Sequence, residues 1–201
     1  MNVSLMRHIL FLSFIISLLF GSLNCNKSNP VGNNDPSSEI IPLKVGNTWV
    51  WQITNYDTSG TISSTTSDSL WVSQDTVLNG QKYFLLWEQQ KNSDGTINQS
   101  ASNYFARNIQ SGYSRRDGNQ ETVLYNYPYQ NGDTTVIASN VSVTVPTGTY
   151  NCLEYHIPVG SYFANGHLQT LMANFYICPN IGIVKKQVSS SIWLLTRVIF
   201  H

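Results

Sequence analysis

The chain has 201 residues and a formal net charge of zero, a length that fits one folded domain plus an export segment. Only 11% of residues are charged while 12% are aromatic, which argues against long solvated helices rich in Glu and Lys. Lys and Arg cluster no further than the pairs Arg115–Arg116 and Lys185–Lys186, so there is no basic face for nucleic acid.

Residues 1–24 read as a targeting segment rather than as part of the fold, with Arg7 as its positive charge and Ile9 to Phe20 as its apolar core. That core falls short of the roughly 20 residues a membrane-spanning helix needs. It suits a signal peptide. Gly21, Ser22, Leu23 and Asn24 then lead to Cys25. A Cys in this place resembles the acylation site of a bacterial lipoprotein signal. The pattern departs from the usual one at Leu23, one place closer to the Cys, and at Asn24, where Gly or Ala is common. The resemblance implies a lipidated Cys25 at the mature N-terminus and a protein held in the bacterial cell envelope, expected at the outer membrane. More than one acyl chain supplies the anchoring that a stable attachment needs. The alternative is ordinary secretory cleavage near Gly21 to Asn24 and a secreted product. Residues 25–39 form the anchor and a polar tether with Pro30, Gly32 and Pro36 and no hydrophobic period, which reads as a flexible spacer.

The body is expected over residues 40–201 as a single domain rich in Ser, Thr, Asn, Tyr and Val, a composition that favours sheet. Ile40 to Ile53 opens it, with Trp49, Trp51 and Ile53 alternating against Val50 and Gln52. Asn55 to Ser67 is polar and reads as a hairpin loop with frayed ends. Leu70 to Val77 and Lys82 to Gln89 are strands joined by Asn79-Gly80, a strong hairpin signal. Asp94-Gly95 and Asp117-Gly118 mark further turns. Tyr104 to Asn108, Tyr113 to Arg116 and Thr122 to Tyr127 read as shorter strands, and Asn126 to Asp133 as a loop carrying Tyr127 and Tyr129. Thr134 to Ala138 is another strand. Next comes the clearest pair in the chain: Val141, Val143 and Val145 alternate on one side of Pro146-Thr147-Gly148, and Leu153, Tyr155 and Ile157 on the other. That period of two marks half-buried strands, and the rest of the sheet is expected to lie beside this pair. Gly160 to His167 reads as a connector. Leu171 to Ile177, Ile183 to Val188 and Ile192 to Ile199 close the domain. The sum is an all-β antiparallel meander of about eleven or twelve strands, a barrel or half-barrel, with a two-layer sandwich as the alternative.

Three segments carry a resemblance: Pro42-Leu43 with Gly46 and Trp49; Val145 to Tyr150 with Cys152; and Tyr176 to Lys185, YICPNIGIVK. Together they resemble a loose family of secreted or lipid-anchored bacterial β-proteins with no known activity. The resemblance implies an all-β secreted body and no catalytic residues. Cys178 and Asn180 depart from it, standing where a small apolar residue and Gly are usual. In an oxidising compartment Cys152 and Cys178 are candidates for a disulfide, worth about 3 kcal/mol on the chain-entropy view. The substitution at Cys178 favours that pairing; two separate buried thiols are the other reading.

No catalytic constellation stands out. The body has His156, His167 and His201, and no nucleophile elbow, zinc-protease helix or phosphate loop accompanies them. Cys152, Glu154 and His156 share a strand face, but adjacent i, i+2 side chains converge poorly on one ion. An outward polar face is the simpler reading, and no metal or cofactor is implied. Aromatic side chains carry the binding expectation: Trp49 and Trp51 on one strand face, and Tyr127 and Tyr129 in a loop, are candidate contacts for an apolar ligand, a carbohydrate or a protein partner. In a concave sheet all five tryptophans would line the cavity. The expected role is non-enzymatic binding in the envelope, with a secreted hydrolase or a purely structural surface module as alternatives.

Overall fold

A computed structural model describes residues 39–109, 112–127 and 136–201. The export segment, Cys25, the tether up to residue 38 and Tyr129 lie outside the described residues. The described chain is all-β without helix, a single antiparallel sheet curled into a half-barrel. Its strands are β1 (Thr48–Tyr56), β2 (Ile62–Leu78), β3 (Gln81–Asn92), β4 (Ile97–Ile109), β5 (Gly112–Asp117), β6 (Gln120–Asn126), β7 (Val136–Val145), β8 (Gly148–Ala164), β9 (His167–Cys178), β10 (Gly182–Val188) and β11 (Ser191–Ile199). They run across the sheet as β6-β5-β4-β3-β2-β1-β11-β10-β9-β8-β7.

Every neighbour is a hairpin partner except one pair. The first and last strands meet in the middle, with Thr48 opposite Ile199 and Trp51 opposite Leu195. The Val141–Pro158 hairpin therefore does not organise the sheet from its centre; it forms one margin, where β7 is an edge. Its strong alternation reflects a strand with one face buried, which an edge strand of a curled sheet has as much as a central one.

Two stretches expected as loops are strands. Asn55 to Ser67 shrinks to a turn in which the Asp57 carboxylate accepts from the backbone N–H of Ser59 and Thr61. The Ser/Thr run beyond it pairs with β1 residue by residue. Gly160 to His167 is the end of a long β8–β9 hairpin, with Phe163 opposite Leu168 and a turn at Asn165-Gly166 in which both residues take positive φ. Asn-Gly suits such a turn because both residues tolerate the left-handed region.

Register shifts interrupt most strand pairs, including Val50/Trp51 in β1 against β11 and Val72/Gln74 in β2 against β3. Such bulges add twist and bend, and the sheet wraps until its β6 margin reaches strands on the other side. Tyr125 lies against Tyr155 and Phe175, with ring centroids 5.5 and 5.6 Å apart. The Tyr155 hydroxyl donates to the Asn126 carbonyl at 2.7 Å.

One end of the half-barrel is plugged. Ile40, Ile41, Leu43 and Trp49 are buried there. Asn47 ties the plug together: its side-chain N–H donates to the Pro42 carbonyl at 2.8 Å, and its Oδ1 accepts from the His201 backbone at 2.9 Å. The Asn108 amide donates to the Ile41 carbonyl at 2.8 Å. The first described residues lie here, beside the β9–β10 turn, with the Asn180 N–H bonded to the Glu39 carbonyl.

Candidate ligand cavity

Among the described residues nothing fills the concave face above the plug. It encloses a cavity of about 440 Å³, within the range of small-molecule sites. The pleat decides which side chains enter it. In β1 the inward set is Trp49, Trp51 and Ile53, all buried. In β2 it is Asp68, Leu70 and Val72, again all buried. Asp68 thus occupies a position at which alternation demands an apolar residue. Across β9, β10 and β11, Phe175, Lys186 and Trp193 stand in one row. Tyr104, Tyr113 and Tyr125 supply the facing wall.

The tryptophans divide three ways. Trp51 and Trp193 line the cavity. Trp49 sits in the plug below it, its indole N–H donating to the Ile181 carbonyl at 2.6 Å and its ring edge-on to Phe200. Trp71 and Trp87 alternate with inward residues, so they lie on the convex face, stacked on each other with centroids 6.4 Å apart. Tyr127 is buried in the core rather than displayed in a loop.

The cavity also holds charge, which the aromatic pattern did not announce. Glu88 follows Leu86 along the inward face of β3, diagonal to Asp68 across the β2–β3 ladder, where Leu70 pairs with Glu88. Asp68 is 4% exposed, and among the described residues its Oδ1 has no hydrogen-bond partner. Burial, then the charge and hydrogen bonding of Glu88, push the Asp68 carboxyl up to about 7. A neighbouring carboxylate and burial both disfavour the charged form of Asp68. Lys186 is half-buried in the opposite wall, its ammonium 4.6 Å from the Trp193 ring centroid and 5.3 Å from that of Phe175. Burial lowers its pKa, and Glu88 and Asp68 partly restore it. Arg115, also in the wall, lies over Tyr104 at 4.3 Å and pairs with Asp117. Burial raises Tyr104 to about 12 and Tyr113 and Tyr125 well above the usual phenol range. All three therefore stay neutral hydrogen-bonding groups at physiological pH.

None of the three histidines lines the cavity. His156 faces outward and contacts the Asn174 side chain at 2.6 Å; His167 begins β9 at the hairpin tip; the His201 ring packs beside Gly46. Among the described residues no group of three His, Cys, Asp or Glu could hold a metal. Cys152 and Cys178 are buried on adjacent strands, one step beyond the Leu153–Ile177 pair, and burial pushes the Cys152 thiol well above its usual range.

The fold has relatives among solved structures. The chain is similar to a protein assigned as exported and having a YmcC-like fold, from Bacteroides fragilis, with a TM-score of 0.57 and 14% identity over 81% of this chain and 100% of that one. It is also similar to a protein assigned as a lipoprotein, from Parabacteroides distasonis, with a TM-score of 0.54 and 16% identity over 81% of this chain and 99% of that one. No protein-family model and no curated protein matches the chain. What the comparisons establish is the fold: a curled single sheet shared with these two bacterial proteins.

Proposed function

We propose that this protein is a non-enzymatic, lipid-anchored component of the bacterial cell envelope that holds a small apolar ligand in the cavity of its curled sheet. One observation carries the reading: a cavity of about 440 Å³ stands open above a closed plug, walled by Trp51, Trp193, Phe175 and Ile157. Apolar walls of this kind gain from excluding water, at about 25 cal/mol per Å² of surface covered. The names of the two structural neighbours, one exported and one a lipoprotein, agree with the export segment and Cys25 in this sequence. No histidine stands in the cavity wall to activate a hydroxyl there, which favours a carrier over a hydrolase.

Native mass spectrometry of the protein purified from its source membrane tests the whole reading. The expected spectrum shows added acyl mass at Cys25 and a small ligand that leaves on mild activation. In parallel, an environment-sensitive apolar dye should bind the folded body with enhanced emission. The Trp51→Ala change should weaken that binding, whereas Val77→Ser on the exposed β2 end should not. A body that binds neither dye nor native ligand would refute the proposal.

A further inference from the structure

Lys186 is the group in this cavity whose chemistry is unfinished. An ammonium carries three N–H donors. Among the described residues Lys186 forms no ion pair and no hydrogen bond; its neighbours on either side are the rings of Trp193 and Phe175. A cation held against aromatic faces is attracted to them, but among the described residues those contacts leave its donors without a protein oxygen acceptor. Desolvating an ammonium in this way is costly unless an acceptor arrives. Glu88 stands in the cavity wall and Asp68 is buried beneath it; their charge favours the ammonium, but among the described residues neither forms an ion pair with it. Arg115 adds to the demand for an anion: Asp117 takes its Nε and Nη2 hydrogens, and Nη1 remains available.

The walls decide the rest of the ligand. On the side of Lys186, Trp51, Trp193, Phe175 and Ile157 give a face for hydrocarbon, while Glu88, Arg115, Asp117 and the tyrosines make the rest of the wall polar. The cavity's 440 Å³ is room for one chain of roughly a dozen carbons with its head, counting a methylene as about the ~30 Å³ of a water molecule. Two acyl chains exceed that space. We infer that the cavity takes a single-chain amphiphile with an anionic head, the head meeting Lys186 and the tail lying along the tryptophan wall. This rests on the cavity being a ligand site, and it adds the head-group chemistry and the number of chains.

Matched tails separate the two claims. Decanoate, decanol and decylammonium would each compete with the apolar dye for the full mature chain at pH 7. The expected order has decanoate tightest, about tenfold below decanol in Kd, the ratio that a charge-assisted bond of ~1.4 kcal/mol gives. Decylammonium should be weakest. Lys186→Met should bring decanoate to the level of decanol, with an unchanged circular-dichroism spectrum and retained dye binding showing that the variant is folded. Lys186→Arg should keep the preference. Equal affinity for decanoate and decanol, or decylammonium tightest, overturns the anionic head and leaves the cavity reading standing. Failure of all three to displace the dye, with the dye bound, removes the single-chain amphiphile. Failure of the dye itself to bind removes the cavity reading and this inference with it.

Discussion

Replacing Asp68 by Asn is the sharpest probe of the buried polar corner. In the native state the Asp68 carboxyl is pushed up to about 7, against an ordinary value of 3.8. The folded protein therefore holds a proton between those two values that the unfolded chain has already released. Stability is largest below about pH 4 and is lost as pH rises through about 7. Between pH 5 and pH 8 this one group should remove about 2–3 kcal/mol of folding free energy, because each tenfold difference in proton affinity between folded and unfolded chain is worth ~1.4 kcal/mol. Carboxylates with lowered pKa do not blur the window. Glu121, Asp57, Asp75 and Asp94 are all held below the ordinary carboxylate range, so they act at lower pH. An Asn side chain at this position has the same shape, carries no charge and can donate to the Glu88 carboxylate without borrowing a proton. Urea unfolding at pH 5, 6, 7 and 8 is the assay. The wild-type midpoint should fall across the series, and the Asp68→Asn midpoint should stay level and exceed it at pH 8. Glu88→Gln removes a neighbouring charge that raises the Asp68 carboxyl, so it should make the profile shallower as well. A wild-type profile without slope, or an Asp68→Asn profile parallel to it, would refute the raised Asp68 carboxyl.

Gly112→Ala should cost at least ~3 kcal/mol and loosen the β5–β6 margin, read by hydrogen exchange; Gly112 has φ +136°, and a Cβ there would collide with the Tyr125 carbonyl. Glu121→Gln should cost about 1 kcal/mol in chemical denaturation at pH 7. It weakens the cluster in which Arg107 Nε, the Tyr83 hydroxyl and the Ser114 hydroxyl donate to one carboxylate. Arg107, chiefly through its hydrogen bond, holds Glu121 at about 2, so this contribution is present above pH 4.5 and is lost as pH falls through 2. Trp49→Phe removes the donor to Ile181 and should cost ~1–3 kcal/mol, with dye affinity unchanged; a loss of affinity equal to that of Trp51→Ala would place Trp49 in the cavity after all. Thiol titration under denaturing conditions, with and without reductant, should show Cys152 and Cys178 converting to a disulfide in protein folded under oxidising conditions. Equal counts would exclude the bond.

Local signals carried the fold further than the site. Asn79-Gly80 and Pro146-Thr147-Gly148 each mark a turn between alternating runs, and both turns are where the residues imply. Asn165-Gly166 carries the same signal, yet its flanks Tyr162, Phe163 and Leu168 are exposed on both faces, and a ribbon without a buried face shows no period. The Ser/Thr run of β2 escapes for a related reason: its pairing with β1 supplies backbone bonds but no apolar side. The cavity was half legible. Trp51 announced itself by alternation, but nothing in the residues separates an indole in the plug from one in a cavity wall or on the convex face. Asp68, Glu88 and Lys186 lie on β2, β3 and β10, and only the long-range register brings them near one another. The available clue was Asp68 itself, a carboxylate in phase with Leu70 and Val72.

The junction of β1 with β11 sets an order of events for a nascent chain. Trp49 and Trp51 emerge early, yet the strand opposite them is the last to appear. Until it arrives, β1 has one open side and β10 another, and the sheet can grow only as two unjoined arms. Contacts of such long sequence separation form slowly, so the two arms stay unjoined until β11 is in place.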